Sequence, residues 1–533
     1  MKRFGVMLDM SRDAVMKPQQ IKKFADVIKS FGYNMIQLYT EDTYEVENEP
    51  YFGYMRGRYS IEELKDIASY CNAIGIEIIP CIQTLAHLNQ IFRWCEYTNI
   101  QDTGDILLAE DERTYKLIDN MFRSIRRWCT SKYIHIGMDE AHMLGLGKYL
   151  DKHGYKNRFE ILDTHLKMVM KIAAKYDFKP IMWSDMFIKL GNHGNYYSED
   201  IHIPDDVIKH TPNDVELVYW DYYHDDKKVY DRMFDAHSRF SNEIWFAGGT
   251  WTWSGFAPNN KISIDRMIPA MESAKEHGIE NIFMTMWGDN GKECSFYSVL
   301  PSLYTVRRIY DGETDIDKIK TEFEQITGED YNHMIALDFP NCIGGNFELN
   351  NVCKHMLYAD PFVGALDATV NINNAADYER FSNMLADYAA ESKSYGYIFE
   401  EASSLCNVLS VKYTLGLDTR MAYQTGDKDK VRRLLERYDY VIEALNDFYN
   451  KFETLWYNEN KPFGFEVHDA RLGGLIHRIR SCRKRLEKYC DGKLESIPEL
   501  EERLLDWFGD EENLQMKSPY LNNWSMIISP NVV

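Results

Sequence analysis

Short apolar runs alternate with longer amphipathic segments across residues 1–310. Eight runs stand out: "FGVMLDM" (4–10), "MIQLYTED" (35–42), "IEIIPCIQTL" (76–85), "YIHIGMDEA" (133–141), "FKPIMWSDMF" (178–187), "VELVYWDYY" (215–223), "EIWFAGGTW" (243–251) and "NIFMTMWGDN" (281–290). They are nearly continuous in apolar residues, the pattern of parallel strands covered on both faces. The segments between them read as helices. In "SIEELKDIASYCNAIG" (60–75), Ile61, Leu64, Ile67, Cys71 and Ile74 recur at helical spacing. Ser60 with Glu63 makes a capping box, and Gly75 stands where a C-terminal cap belongs. Pro18 sits at a first-turn position ahead of Ile21, Phe24, Val27, Ile28 and Phe31, with Gly32 after them. Eight strand–helix units predict an α/β fold, a (β/α)8 TIM barrel. An open doubly wound sheet is the rival, but no G-x-G-x-x-G follows the first strand.

Farther along, the strand-like runs stop and long helical patterns take over, as in "KVRRLLERYDYVIEALNDFYNKFETLWYN" (430–458). The expected organisation is a catalytic barrel over 1–320 followed by an all-α C-terminal domain over 321–533. The stretch "NKPFGFEVHDARLGG" (460–474) reads as an ordered loop between helices.

A chain of 533 residues that is 45% hydrophobic and 14% aromatic has ample material for more than one core. Its net charge of −22 argues against a nucleic-acid partner, which requires a basic footprint. The ten cysteines are scattered with no C-x-x-C pair, which fits reduced thiols in a cytoplasmic setting better than a zinc or disulfide framework. The opening "MKRFGVMLDMSRD" has no apolar core of a secretory leader, and no apolar stretch is long enough for a membrane span.

In "HIGMDEAHMLGLG" (135–147) an apolar run ends in two adjacent acids, Asp139 and Glu140. Neighbours on a regular strand point to opposite faces. Both acids reach one pocket only if the strand ends or bulges there. The other runs also finish in polar or aromatic residues: Asp9 and Arg12; Glu41 and Asp42; His87; Trp183 and Asp185; Trp220, Asp221, Tyr222 and Tyr223; Trp251 and Trp253; Trp287, Asp289 and Glu293. In a (β/α)8 barrel those ends build the active site. Carboxylates with aromatic faces suit a sugar.

"HIGMDEA" resembles the H-x-G-x-D-E signature of glycoside hydrolase family 20, the β-N-acetylhexosaminidases, and "MLDMSR", "IEIIPCIQTLAH", "IMWSDMF", "VYWDYY" and "MWGDNG" match in order. The tail is similar to the helical domain of a bacterial subgroup that begins directly with the barrel and lacks the N-terminal α/β domain. The resemblance implies an exo-acting, retaining enzyme that removes terminal β-linked GlcNAc or GalNAc. The substrate's own acetamido oxygen attacks the anomeric carbon and forms an oxazolinium intermediate, an exception to the two-carboxylate scheme. Glu140 is then the acid–base residue, and Asp139 holds the acetamido N–H and the developing positive charge. The resemblance assigns Arg12 to ring hydroxyls, and Asp42 and His87 to a pair beside the acid. Trp183, Trp220 and Trp287 become aromatic walls, and Asp289 takes the place of a Glu that binds outer hydroxyls. Tyr222 is the candidate donor to the acetamido oxygen, and Trp251 or Trp253 shapes the leaving-group side. Asp289 in place of Glu leaves the preference among GlcNAc, GalNAc and galactose open.

Rival readings are a β-galactosidase-like glycosidase of the same family, a metal-dependent barrel hydrolase using His135, Asp139 and His142, and a sugar-binding protein without catalysis. "DEAH" also spells a helicase box, but no phosphate loop accompanies it. The expected partner is an oligosaccharide or glycoside with a terminal β-N-acetylhexosamine. No cofactor, metal, nucleic acid or membrane is expected, and a homodimer is an allowed assembly.

Overall fold

The computed structural model describes residues 2–192, 194–199, 201, 203–348, 351–509 and 519–531. The chain divides into two compact units. One comprises Met1–Thr250, Ser263–Trp287 and Ser302–Ile319, and the other Trp251–Ile262, Gly288–Pro301 and Lys320–Val533.

The first unit is a closed barrel of parallel strands in sequential order, β1 to β8. They are β1 (Arg3–Asp9), β2 (Met35–Tyr39), β3 (Glu77–Cys81), β4 (Tyr133–His135), β5 (Lys179–Trp183), β6 (Glu216–Trp220), β7 (Ile244–Gly249) and β8 (Asn281–Met286). β8 pairs back onto β1 from Arg3↔Asn281 to Leu8↔Met286. Every strand after β1 is shorter than its apolar run, because the run continues into the loop that lines the barrel mouth. The interior packs Met7, Met35, Tyr39, Ile79, Cys81, Ile181, Trp183, Val218, Trp245, Ala247 and Phe283, with Trp220 and Trp287 partly buried against them. Every residue of β2 and of β8 is buried, which is why those runs do not alternate.

Helices follow the strands as their patterns predict. Helix α1 (Pro18–Ser30) starts on its proline and buries Ile21, Phe24 and Ile28. Helix α2 (Ile61–Ala73) carries the full capping box: Ser60 Oγ accepts from Glu63 N–H, and the Glu63 carboxylate accepts from Ser60 N–H at 2.8 Å. Gly75 follows with φ +79°, the left-handed conformation of a helix stop. Helix α3 (Asp185–Gly191) begins two residues after β5.

The second unit is helical, with α4 (Gly396–Lys412), α5 (Lys428–Glu459) and α6 (Phe465–Cys490) among its long elements. The loop expected over 460–474 is corrected here, because α6 already starts at Phe465. Gly473 and Gly474 lie inside it, at a cost of roughly 1 kcal/mol each relative to alanine. Packing outweighs that cost. Phe465, His468 and Leu472 share one buried face, and the Phe465 and His468 rings meet Trp456 of α5 with centroids 5.7 and 4.9 Å away.

Candidate active site

The acid pair lies beyond β4, which ends at His135. The chain stays tied to its neighbours for two more residues: Thr84 N–H donates to Ile136 C=O and Trp183 N–H to Gly137 C=O. It then leaves strand geometry, with φ at +71° for Gly137, +69° for Met138 and +51° for Glu140. Strict alternation is lost, and both acids turn toward one imidazole. His87 Nε2 lies 3.3 Å from Asp139 Oδ2 and 3.9 Å from Glu140 Oε2. Asp139 is buried, whereas the Glu140 side chain is 46% exposed. A buried carboxylate therefore stands beside one open to solvent.

Gln83, just past β3, sets this turn. Its Nε2 donates to Asp139 Oδ1 at 2.8 Å and to the Tyr39 hydroxyl at 3.0 Å, and its Oε1 accepts Met138 N–H at 3.1 Å. Gly137 makes room for it: a Cβ there would lie 2.0 Å from Gln83 Oε1. Burial alone would raise the Asp139 carboxyl, but the charge of His87 and the bonds from His87 and Gln83 hold it below the usual carboxylate range. Burial also lowers His87, yet the charge and hydrogen bond of Asp139, helped by Glu41, carry it up to about 10.

On the next strands, Asp9 Oδ2 takes Arg12 Nε at 3.0 Å. Arg12 Nη1 reaches Glu41 Oε1 at 3.5 Å, and that oxygen also accepts from the Tyr39 hydroxyl at 2.9 Å. Burial pushes the Glu41 carboxyl up to about 7, against the pull of Arg12 and His87. Asp42 faces elsewhere. It pairs with Arg56 at 3.3 Å, and Arg56 in turn donates to the carbonyls of Ser11 and Arg12. The expected Asp42–His87 pair is thus corrected: Glu41 is the β2-end carboxylate on the His87 side, and Asp42 braces the loop that carries Arg12.

Beyond β5, Asp185 is fully buried, and its Oδ2 accepts Glu140 N–H at 3.2 Å. One helical turn on, Lys189 Nζ lies 3.2 Å from the same oxygen and 3.8 Å from Glu140 Oε1. The aromatic residues form a graded wall. Trp183 is 1% exposed and belongs to the barrel core, its indole Nε1 buried without a partner. Trp287, partly buried, lies 6.1 Å from Trp183 and 4.8 Å from Tyr39 by ring centroids. Trp220 stacks on Tyr222 at 5.4 Å, and the Tyr222 hydroxyl is engaged by Trp287 and Thr285.

Arg12, His87, Asp139, Glu140, Trp183, Trp220, Tyr222 and Trp287 are therefore all in the barrel unit, most of them linked by these contacts. Trp253 and Asp289 fall in the helical unit. Trp253 stacks on Trp251 at 4.7 Å. Asp289 opens a tight turn through Asn290 (φ +63°), whose carbonyl accepts from Arg471 at 2.7 Å. The sequence places Glu41 and Asp185 at strand ends without giving either a role, and it marks neither Gln83 nor Lys189. Glu41 and Asp185 stand at strand ends, so their position was a signal; an uncharged Gln and a lysine inside a helix gave none. His135, from the metal reading, is buried under the Trp183 ring at 4.5 Å and accepts Gly137 N–H on Nδ1. Burial lowers its pKa to about 3. Among the described residues no group of His, Cys, Asp or Glu is arranged to hold a metal ion.

The closed parallel barrel carries its acid pair at the C-terminal rim, where (β/α)8 enzymes build their active sites. Residues 3–233 match the catalytic domain of glycosyl hydrolase family 20, and residues 329–518 match the glycoside hydrolase 20C C-terminal domain. The chain belongs to glycoside hydrolase family 20. Among curated relatives, hexosaminidase D of Bos taurus is 22% identical over 46% of this chain and 69% of its own. Hexosaminidase D of Homo sapiens is 22% identical over 39% of this chain and 42% of its own. The chain thus spans less than half of the human relative. A solved family 20 exo-β-N-acetylglucosaminidase of Vibrio harveyi, in complex with N-acetylglucosamine, superposes with a TM-score of 0.46 at 13% identity, covering 61% of this chain and 58% of that one.

Proposed function

We propose that this protein is an exo-acting, retaining β-N-acetylhexosaminidase working by substrate assistance. The observation that carries the reading is the placement of Asp139 and Glu140 on one side, both against His87 Nε2 at 3.3 and 3.9 Å. Two carboxylates so grouped suit a division of labour in which the substrate supplies the nucleophile. The acetamido oxygen attacks the anomeric carbon while Glu140 protonates the departing glycosidic oxygen. Asp139, kept ionised by His87 and Gln83, accepts the acetamido N–H and stabilises the positive charge spreading over the forming oxazolinium ring. Glu140 then deprotonates the water that opens it. Trp287, packed over the buried Trp183, flanks the acetamido methyl, Tyr222 donates to the acetamido oxygen, Trp220 meets the sugar face, and Arg12 takes ring hydroxyls. The substrate is an oligosaccharide or glycoside ending in β-linked GlcNAc or GalNAc. A cytoplasmic location belongs to the same proposal and is supported by ten cysteines that all carry free thiols.

The test is a panel of p-nitrophenyl β-glycosides of GlcNAc, GalNAc, galactose and glucose. Turnover of the acetamido sugars at least tenfold above the others is expected. A preference for galactose or glucose overturns the reading.

A further inference from the structure

We propose that Asp185 and Lys189 are positioning residues for Glu140, one holding its backbone and the other its carboxylate. This rests on the reading of Glu140 as the proton shuttle.

Glu140 sits at φ +51°, a conformation that side-chain-bearing residues adopt at a cost of about 1–2 kcal/mol. Something must hold it there. Its N–H donates to Asp185 Oδ2 at 3.2 Å, from a side chain with no solvent exposure. Asp185 is the first residue of α3, so its place is fixed by β5 and the helix together. A lone carboxylate buried this way is costly. Lys189, four residues on and on the same helical face, supplies the counter-charge at 3.2 Å. Its ammonium also lies 3.8 Å from Glu140 Oε1 and about equally far from the Trp220 and Tyr196 rings, with centroids at 5.7 and 5.8 Å. One oxygen of Glu140 thus faces Lys189 and the other faces His87. The acid is held between two cations, with Asp139 and Asp185 behind them and His142 on its own loop. The backbone bond aims the carboxyl group, and the cation keeps its approach to the leaving oxygen fixed.

The experiment compares Asp185→Ala, Lys189→Met, the double variant Asp185→Asn/Lys189→Met and Glu140→Gln. Each is assayed on an N-acetylglucosaminyl disaccharide and on a p-nitrophenyl glycoside, with kcat, KM, pH profile and Tm recorded. Asp185→Ala is expected to lower kcat on the disaccharide about 10–100-fold with KM within about twofold, because misplacing a catalytic group costs rate more than binding. The loss should be several-fold smaller on the nitrophenyl glycoside, which needs little protonation. Lys189→Met should also lower kcat on the disaccharide with KM little changed, since the carboxylate loses one of the two cations that fix its approach. It also leaves Asp185 uncompensated, so the double variant, neutral at both positions but retaining an acceptor oxygen, should recover both Tm and disaccharide turnover relative to Lys189→Met alone. Equal losses of Asp185→Ala on the two substrates, or no loss on the disaccharide, overturn the clamp. If Glu140→Gln itself keeps full disaccharide turnover, the acid assignment fails and the clamp falls with it. If Glu140→Gln loses turnover and Asp185→Ala does not, only the clamp fails.

Discussion

Gln83 and Asp139 are joined by one hydrogen bond of 2.8 Å, and the other end of the same carboxamide holds the backbone at Met138. A neutral side chain from the neighbouring strand therefore fixes both the turn and the anchor acid it delivers. Gln83→Leu should remove both bonds while keeping most of the bulk. We expect kcat/KM on p-nitrophenyl GlcNAc to fall by about 10²-fold, in line with the loss of preorganised electrostatic support. Gly137→Ala should do at least as much harm, since its Cβ would collide with Gln83 and φ +71° suits glycine. A Gly137→Ala protein with unchanged Tm and activity would show that the turn is held by something else.

Glu140→Gln should preserve the pocket and remove the proton shuttle. General acid–base help is worth about 10²–10⁴ in rate. The expected kcat loss on a disaccharide lies in that range and shrinks with a nitrophenolate leaving group. Steady-state kinetics on the two substrates check it, and a uniform loss would argue against protonation of the leaving group.

Asp139→Asn tests substrate assistance. Only a substrate with an amide offers Asp139 something to hold. We expect roughly 10²–10³ lost in kcat/KM on p-nitrophenyl GlcNAc and much less on a residual galactoside activity. The ratio of the two losses, each at its own pH optimum, is the quantity to measure. A glycosyl-enzyme trapped with a fluorosugar in this variant would point to a nucleophile from the protein.

The His87–Asp139 pair has a signature in pH. Against the lowering effect of burial, Asp139 carries the His87 pKa from the ordinary 6.5 up to about 10, so its contribution to stability is complete below about 6.5 and is lost as pH rises toward 10. Asp139 is lowered, so its contribution is present above the ordinary carboxylate range and is lost as pH falls through its depressed value. Imidazole NMR should find His87 protonated at pH 8 in the native protein. In Asp139→Asn the main raising charge is gone and burial lowers the ring, so the same resonance should titrate well below 10, by more than one pH unit. A His87 resonance that is neutral at pH 8 in the unmodified chain would contradict the geometry.

The barrel was legible because its strands are buried on both faces, leaving apolar runs too uniform to be mistaken for alternating surface strands. The rim was legible because polar residues interrupt those runs at equivalent places. Two kinds of information were not. The choice between Glu41 and Asp42 depends on which of two neighbouring carboxylates meets Arg56, a residue from the loop that follows, and no local pattern encodes that. Gln83 and Lys189 act through contacts with residues 56 and 49 positions away, and neither carries the acid–base or stacking chemistry that draws attention in a sequence. The stretch 460–474 reads as a loop in sequence for a related reason, since burial against α5 stabilises a helix whose local preference is weak.

Glu41, His87 and Glu140 all stand in left-handed backbone, at the ends of three successive strands. Each such residue costs on the order of 1–3 kcal/mol. Selection for heat resistance alone would relieve that strain with glycine or asparagine, and would do so at the acid, at its imidazole partner and at the carboxylate beside Arg12. Thermostable descendants obtained without an activity screen should therefore lose hydrolysis early and in a recognisable order of positions, so that resistance to unfolding and turnover of substrate trade off at these three residues before anywhere in the helical unit.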